Sequence, residues 1–290
     1  MNIRIIPRLD IKGPNLVKGI HLEGLRVLGK PEDFAKYYYE AGADELIYQD
    51  VVASLYERNS LHDIISRTAK EIFIPLTVGG GIRTIEDIKG VLRAGADKVS
   101  INTIAIKNPK FIREASLKFG SSTIVVAIEA IKQPDGRYFA FIDNGREFSG
   151  IEVLEWAKRV EELGAGEIVI TSVDREGTGF GFDLELVKMV ADNVSIPVIA
   201  HGGAGKKEDV LEVIKEGSAS AVAIASILHY DSLSKDFADL GKRKEGNIEF
   251  LKNGKSSSKI TPTNLILLKN YLGEHSIDVR ISLAKVAVEI

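Results

Sequence analysis

The sequence contains an internal repeat with a constant offset of 122 residues. Residues 41–47 resemble residues 163–169, and residues 74–80 resemble residues 196–202. A third match, between residues 95–97 and 217–219, falls in the same register. A repeat this long spans about four strand–helix units, so it predicts a chain built from two fused half-barrels.

Short apolar runs alternate with amphipathic stretches along the whole chain. The runs are rich in Ile and Val without strict alternation, as expected of parallel strands covered on both faces. The predicted strands are 3–9, 45–50, 73–78, 98–101, 123–129, 167–171, 197–200 and 221–225. The predicted helices include 31–40, 85–93, 109–118, 151–163, 184–192 and 208–216. This order predicts an α/β fold, a (β/α)8 TIM barrel forming a single domain over residues 1–290.

Two segments interrupt this alternation. Residues 133–149, with a Pro-Asp-Gly turn at 134–136, are typical of a β-hairpin. Residues 231–263 form a polar stretch longer than about 15 residues, and a loop of this length is usually functional or disordered. Both follow carboxyl ends of predicted strands, so we expect both on the catalytic face. The second segment also contains apolar residues, which favours a lid or a protein contact over a solvated tether.

Composition restricts the function classes. The 290 residues are 44% hydrophobic and 27% charged, with a net charge of −3 and a pI near 6.0, so nothing indicates binding to nucleic acid or to an anionic membrane. Cysteine is absent, and the five histidines have no metal-ligand spacing, so we expect neither a metal nor another cofactor. The sequence lacks a recognisable signal peptide and any apolar run of about 20 residues, which predicts a cytoplasmic enzyme.

Glycine-rich segments follow the third and seventh predicted strands, at residues 78–82 and 201–205. Glycine lets backbone N–H groups approach an anion, and a following helix adds its positive end. Asn102-Thr103 and Ala225-Ser226 end the neighbouring strands. Two such sites on opposite sides of a barrel mouth would suit a substrate with a phosphate at each end. The alternative is that these glycines only form tight turns.

Carboxylates also end predicted strands on this face. Asp10 and Glu129 occupy nearly equivalent positions in the two halves, and such a pair can act as general acid and base. Asp50 and Asp174 form a second pair. Alternatively these acids form rim salt bridges, for which the candidate partners are Lys12, Lys18 and Arg175.

Four charged residues stand at strand starts instead: Arg4, Glu45, Lys98 and Glu167. Charges that enter a barrel from its N-terminal end are costly to bury unless they pair. From this argument alone, a structural ion-pair ring at the barrel floor is the favoured interpretation.

Six motifs are informative when they are taken together: Ile-Ile-Pro-Arg-Leu-Asp-Ile-Lys at 5–12, Val-Lys-Gly at 17–19, Gly-Ala-Asp-Glu-Leu at 42–46, Thr-Val-Gly-Gly-Gly-Ile at 77–82, Gly-Ala-Asp-Lys-Val-Ser-Ile-Asn at 95–102 and Gly-Gly-Ala-Gly at 202–205. These motifs resemble the cyclase subunits of imidazole glycerol phosphate synthase. The resemblance covers about residues 3–230 and resumes in the last helix. It implies a barrel that closes an imidazole ring on a bisphosphorylated intermediate. It also implies a glutaminase partner, docked on the N-terminal face, that delivers ammonia through the barrel interior.

The resemblance implies a role for each matching position. Asp10 matches the first catalytic aspartate, and Glu129 stands at the second. The four strand-start charges Arg4, Glu45, Lys98 and Glu167 match the ammonia gate, which reverses the preference for an inert ring. The positions that match phosphate sites are Gly81, Asn102, Thr103, Gly203 and Ser226.

The sequence departs from the family where the substrate would react. Glu129 and Glu176 replace aspartates, Arg8 replaces a cysteine and His201 replaces a serine. Arg8 and His201 are expected to add bulk and positive charge beside the carboxylates. The expected further substrate contacts are Asp50, Thr171, Glu176 and His201. These changes leave two alternatives open: a paralogue that passes ammonia to another acceptor, such as a surface-polysaccharide sugar precursor, or a non-catalytic barrel that only activates a glutaminase.

Overall fold

In the computed structural model, which describes residues 2–53, 61–235 and 259–281, eight parallel strands close into a barrel. Numbered in chain order, the strands are β1 (Arg4–Lys12), β2 (Asn15–Ile20), β3 (Glu23–Gly29), β4 (Leu46–Asp50), β5 (Leu76–Gly79), β6 (Lys98–Ile101), β7 (Ile124–Lys132), β8 (Tyr138–Ile142), β9 (Glu147–Glu152), β10 (Glu167–Ser172), β11 (Val198–His201) and β12 (Ala221–Ile224). The barrel order is β1-β4-β5-β6-β7-β10-β11-β12, and β12 pairs back onto β1. The predicted TIM barrel is confirmed.

Helices surround the barrel wall. In the described residues they are Pro31–Glu40, His62–Thr68, Ile85–Arg93, Thr103–Lys107, Lys110–Phe119, Val153–Glu162, Leu184–Ala191, Lys207–Lys215, Ser226–Lys235 and Leu265–Glu274. The larger apolar core lies between strands and helices. A second cluster fills the barrel interior and consists of Ile6, Ile47, Val125, Val169, Ile199, Ala221 and Ala223. Among the described residues no helix combines the length and apolarity needed to cross a bilayer.

Two antiparallel hairpins extend the barrel at its C-terminal mouth. β2 and β3 pair with each other, and β2 pairs with the end of β1. This hairpin was not predicted, because its turn places His21 and Leu22 at φ of 52° and 61° although neither residue is Gly or Asn. The segment predicted as a hairpin at 133–149 contains β8 and part of β9, which pair with each other and with the extension of β7.

Several predicted boundaries were wrong. The first strand continues past Asp10 to Lys12, and Ile151 belongs to β9 rather than to the following helix. Phe73 lies before β5 and is 81% exposed. The segment predicted as an insertion at 231–263 begins as the end of helix Ser226–Lys235. Residues 236–258 of this segment lie outside the described residues. Near the end of the segment, Thr261 donates its N–H to the carbonyl of Gly205 at 2.7 Å.

Candidate active site

Alternate residues of β1 point into the barrel and define its interior from end to end. Ile6 belongs to the interior apolar cluster, and Arg4, Arg8 and Asp10 share its face because successive side chains of a strand alternate. Arg4 lies at the N-terminal end and Asp10 at the mouth. The interior therefore changes from charged to apolar and back to charged along the barrel axis.

The four charges at the strand starts form one ion-pair ring at the N-terminal end. Nη1 of Arg4 lies 2.9 Å from Glu45 Oε2 and 3.0 Å from Glu167 Oε1. Nζ of Lys98 contacts the same two carboxylates at 3.0 and 3.1 Å. The hydroxyl of Thr77 donates to Glu45 at 2.6 Å. Each cation bridges both carboxylates, so the ring closes the floor beneath the apolar cluster.

Arg8 lies above the apolar cluster and is buried. Its Nε donates to Oδ1 of Asp10 at 2.9 Å, and its Nη1 lies 3.1 Å from Nδ1 of His201. Thr171 Oγ1 lies 3.2 Å from the same nitrogen. Because Arg8 can only donate, Nδ1 of His201 accepts, which places the proton of the neutral ring on Nε2.

The expected positive charge on His201 was wrong. Burial lowers the pKa of His201 well below its ordinary value, and the positive charges of Arg8 and Lys18 lower it further. His201 is therefore neutral at physiological pH. At this position it contributes bulk and a hydrogen-bond acceptor.

Glu129 ends the barrel part of β7, four strands around the barrel from β1 and so on the opposite wall from Asp10. It is buried, and its Oε2 accepts the N–H of Gly145 at 2.8 Å. Burial raises the pKa of Glu129 to about 7, although the charge of Arg8 and the Gly145 N–H both act to lower it. Near neutral pH this carboxyl populates both protonation states, as a general acid or base requires.

A cavity of about 330 Å³ opens between Glu129 and the ends of β4, β5 and β6. Its wall includes the predicted residues Asp50, Gly81, Asn102 and Thr103, together with two cationic side chains, Arg83 and Lys107. Gly80, with φ of 97°, approaches the backbone of Asp50 so closely that a Cβ would lie 2.3 Å from its carbonyl oxygen. Glycine here brings the loop against the neighbouring strand.

A second, smaller pocket lies at the ends of β10, β11 and β12. Gly203, Ser226, His201 and Glu176 line it. Gly203 has φ of 116°, and a Cβ would lie 2.1 Å from the carbonyl oxygen of Gly181. Ser226 is the first residue of a ten-residue helix. A glycine loop and the start of a helix form an arrangement that favours anions.

Both carboxylate oxygens of Glu176 bind groups of the β2–β3 hairpin. One of its carboxylate oxygens pairs with buried Lys18, and the other accepts the N–H of Leu22 at 3.0 Å. The amide of Asn144 donates to the carbonyl of Leu22 at 3.1 Å. Glu176 therefore fastens this hairpin beside the second pocket, while Asp174 is exposed and accepts the N–H of Lys132 outside the mouth.

Arg83, Lys107 and Asn144 had no predicted role, and Lys18 was predicted only as a candidate partner in a rim salt bridge. A search for cations shortly after the glycine and Asn-Thr segments would have found Arg83 and Lys107. Lys18 and Asn144 reach the site through hairpins whose placement depends on tertiary contacts. Within the described ranges no three His, Asp or Glu side chains are grouped so that they could hold a metal ion.

Residues 4–234 match the family model described as "Histidine biosynthesis protein". The fold and this match define a TIM-barrel protein of the histidine-biosynthesis class.

Relatives named "Imidazole glycerol phosphate synthase subunit HisF" refine the class. The protein from Legionella pneumophila is 59% identical over 208 residues, which cover 72% of this chain and 98% of the relative. The protein from Prochlorococcus marinus (strain MIT 9515) is 51% identical over 80% of this chain and 91% of the relative. The protein from Alkaliphilus metalliredigens (strain QYMF) is 47% identical over 80% of this chain and 92% of the relative. The chain belongs to the family of cyclase subunits of imidazole glycerol phosphate synthase.

Proposed function

We propose that this chain uses ammonia to close the imidazole ring of imidazole glycerol phosphate and to cleave the bisphosphorylated intermediate. One observation carries the proposal: Asp10 and Glu129 lie on opposite barrel walls, with a glycine-lined pocket beside each half of the mouth. A substrate bound by a phosphate in each pocket would span both carboxyls. The alternative acceptor and the non-catalytic barrel have no observation in their favour.

The chemistry requires two groups that handle protons. Ammonia that attacks a carbonyl carbon must lose a proton, and the oxygen that leaves must gain one. Glu129, with a pKa of about 7, can hold or release a proton at neutral pH. We assign Asp10 and Glu129 as the acid–base pair. Gly81, Asn102 and Thr103 would bind one phosphate, and Gly203 and Ser226 the other. Asp50, Thr171 and His201 would contact the substrate between them.

Ammonia would enter from a glutaminase bound at the N-terminal face. The ring of Arg4, Glu45, Lys98 and Glu167 would open as side chains exchange partners, and the apolar interior above it would favour neutral ammonia over ammonium. A depression of about 380 Å³ at this face, lined by several apolar residues and by Asp97, contains the exposed ring of Phe73 and could receive a partner side chain. We place the enzyme in the cytoplasm, where its phosphorylated, membrane-impermeant substrate would be made.

The test is a cyclase assay with the bisphosphate intermediate and ammonium salt. We expect the wild type to form imidazole glycerol phosphate and Asp10→Asn to lose at least about 100-fold in kcat, the lower range for a general acid or base. Asp174→Asn is the matched control, because this strand-end aspartate is exposed outside the mouth. A wild type that stimulates a glutaminase without turning over the intermediate would overturn the proposal in favour of a non-catalytic barrel.

A further inference from the structure

Arg8 occupies a position that the proposed chemistry does not yet explain. It is 4% exposed, and it connects β1 to the end of β11 through Asp10 and His201. A buried guanidinium is costly unless its charge and its N–H groups find partners. Here one edge binds a proposed catalytic carboxylate and the other binds a residue of the second pocket.

The charges that face Arg8 come from several elements of the barrel mouth. Asp10 is bonded to it directly, while Glu129 of β7 and Glu176, which follows β10, interact with its charge through space. The two histidines in this region are buried beside Arg8: His201 contacts its side chain, and His229 Nε2 lies 3.1 Å from its backbone carbonyl. The pKa of His229 is lowered to about 4 by burial, so this ring is also neutral.

We propose that Arg8 is a positioning residue, which fixes the orientation of the Asp10 carboxylate and places a permanent positive charge within reach of Glu129. The proposal rests on the proposed function in one respect, since it takes these two carboxyls as the acid–base pair. Two functions follow from one side chain. The Nε–Oδ1 bond holds Asp10 against rotation. The charge of Arg8 limits how far burial and the negative charges of Asp10 and Asp143 can raise the pKa of Glu129.

The first test measures Glu129 directly, without substrate. In protein labelled with 13C at glutamate side-chain carboxyls, the Glu129 resonance is the one that Glu129→Gln removes. We expect Arg8→Met to raise the pKa of Glu129 by about 1 unit or more, because an opposite charge nearby lowers a carboxyl pKa by roughly 1–3 units. Arg8→Lys keeps the charge, so its Glu129 pKa should stay close to that of the wild type. This titration gives a result even if the chain does not turn over the intermediate.

The second test measures turnover with ammonium. Arg8→Lys keeps the charge but cannot bond Asp10 and His201 together in the same fork, so we expect kcat to fall by about 10- to 100-fold with a smaller change in KM. In Arg8→Met the limb of the pH–kcat profile that Glu129→Gln abolishes should move to higher pH. If Arg8→Met fails to fold, Arg8→Lys still carries the orientation test.

The chain supplies a matched control. Arg137 and Asp135 are also two residues apart and are joined by an Nε–Oδ2 bond of 2.9 Å, but both are exposed. Arg137→Met should leave the titration and turnover unchanged. An Arg8→Met protein with the wild-type Glu129 pKa, or an Arg8→Lys enzyme with the wild-type kcat, would overturn the proposal. A wild type without turnover would overturn the proposed function instead.

Discussion

Replacing Glu129 with Gln should make the protein more stable at alkaline pH. The native state raises the pKa of this carboxyl from 4.5 to about 7, mainly through burial. Between these values the native protein holds a proton that the unfolded chain has released. Protonation therefore favours the native state at low pH, and stability falls as the pH rises through about 7. Ionised Glu129 destabilises the native state at pH 8, whereas the neutral amide of Gln does not titrate.

The size of the effect follows from the two pKa values. Their difference corresponds to about 3 kcal/mol, since each pKa unit is worth about 1.4 kcal/mol. Part of this difference is already present at pH 5. The gain in unfolding free energy of Glu129→Gln over the wild type should therefore grow by about 2–3 kcal/mol between pH 5 and pH 8. A change at one pH alone would not test the idea, because the amide also alters the bond to Gly145.

Urea unfolding at pH 5, 6.5 and 8 measures this difference. The one tryptophan, Trp156, is buried between a helix and the barrel wall, so its fluorescence reports loss of packing. Midpoints are comparable only if the slope with urea is unchanged. Glu114→Gln is the control, because this carboxyl is exposed on an outer helix and should show no such trend. A stability difference that is flat with pH, or that shrinks toward pH 8, would refute the raised native-state pKa of Glu129.

Three further predictions concern the two faces of the barrel. Lys98→Ala removes one of the two cations that bridge both carboxylates of the ring, so glutamine-dependent turnover should fall more than turnover with added ammonium. Equal losses would assign Lys98 a structural role. Gly203→Ala would place a methyl group 2.1 Å from the carbonyl oxygen of Gly181 and so displace the loop. We therefore expect KM for the bisphosphate to rise at least about 10-fold. An unchanged KM would show that this loop does not bind the phosphate. Phe73→Ser should weaken glutaminase binding by about 10-fold or more in calorimetry, because exposed aromatic rings often dominate the binding energy of interfaces. Turnover with ammonium should stay constant. Undiminished binding would show that the glutaminase docks on another surface.

The barrel was predictable from sequence because its signals are periodic and local. The 122-residue repeat fixed the relation of the two halves, and the buried runs located all eight strands to within a few residues. The β2–β3 hairpin was missed because its turn lacks such a local signal. Its turn residues, His21 and Leu22, adopt a left-handed backbone conformation in which glycine or asparagine is usually found. Hydrogen bonds from their N–H groups to Glu176 stabilise this conformation.

Side-chain partners at the mouth were less predictable, because they join residues that are distant in sequence. Lys18 could be named as a partner of a carboxylate, but its pairing with Glu176 spans 158 residues and depends on a hairpin that the sequence did not reveal. The charge state of His201 depends on burial and on the neighbouring Arg8. Neither quantity is readable from residue type or spacing.

The ion pairs at the barrel mouth indicate which buried carboxyl exchanges a proton near neutral pH. Three buried carboxyls of the described residues act on the charge of buried Arg8, namely Asp10, Glu129 and Glu176, and a second buried cation, Lys18, lies at the same end of the barrel. Arg8 bonds Asp10 and Lys18 bonds Glu176, so each of these carboxylates has a cation of its own. Among the described residues, the groups that favour ionised Glu129 are the backbone N–H of Gly145 and the more distant charge of Arg8. A buried carboxyl without its own cation is the one that burial brings closest to protonation at neutral pH. The sequence shows how many charged residues the chain has. Which cation pairs with which carboxylate, and hence that Glu129 is the acid that exchanges a proton, depends on the folded barrel.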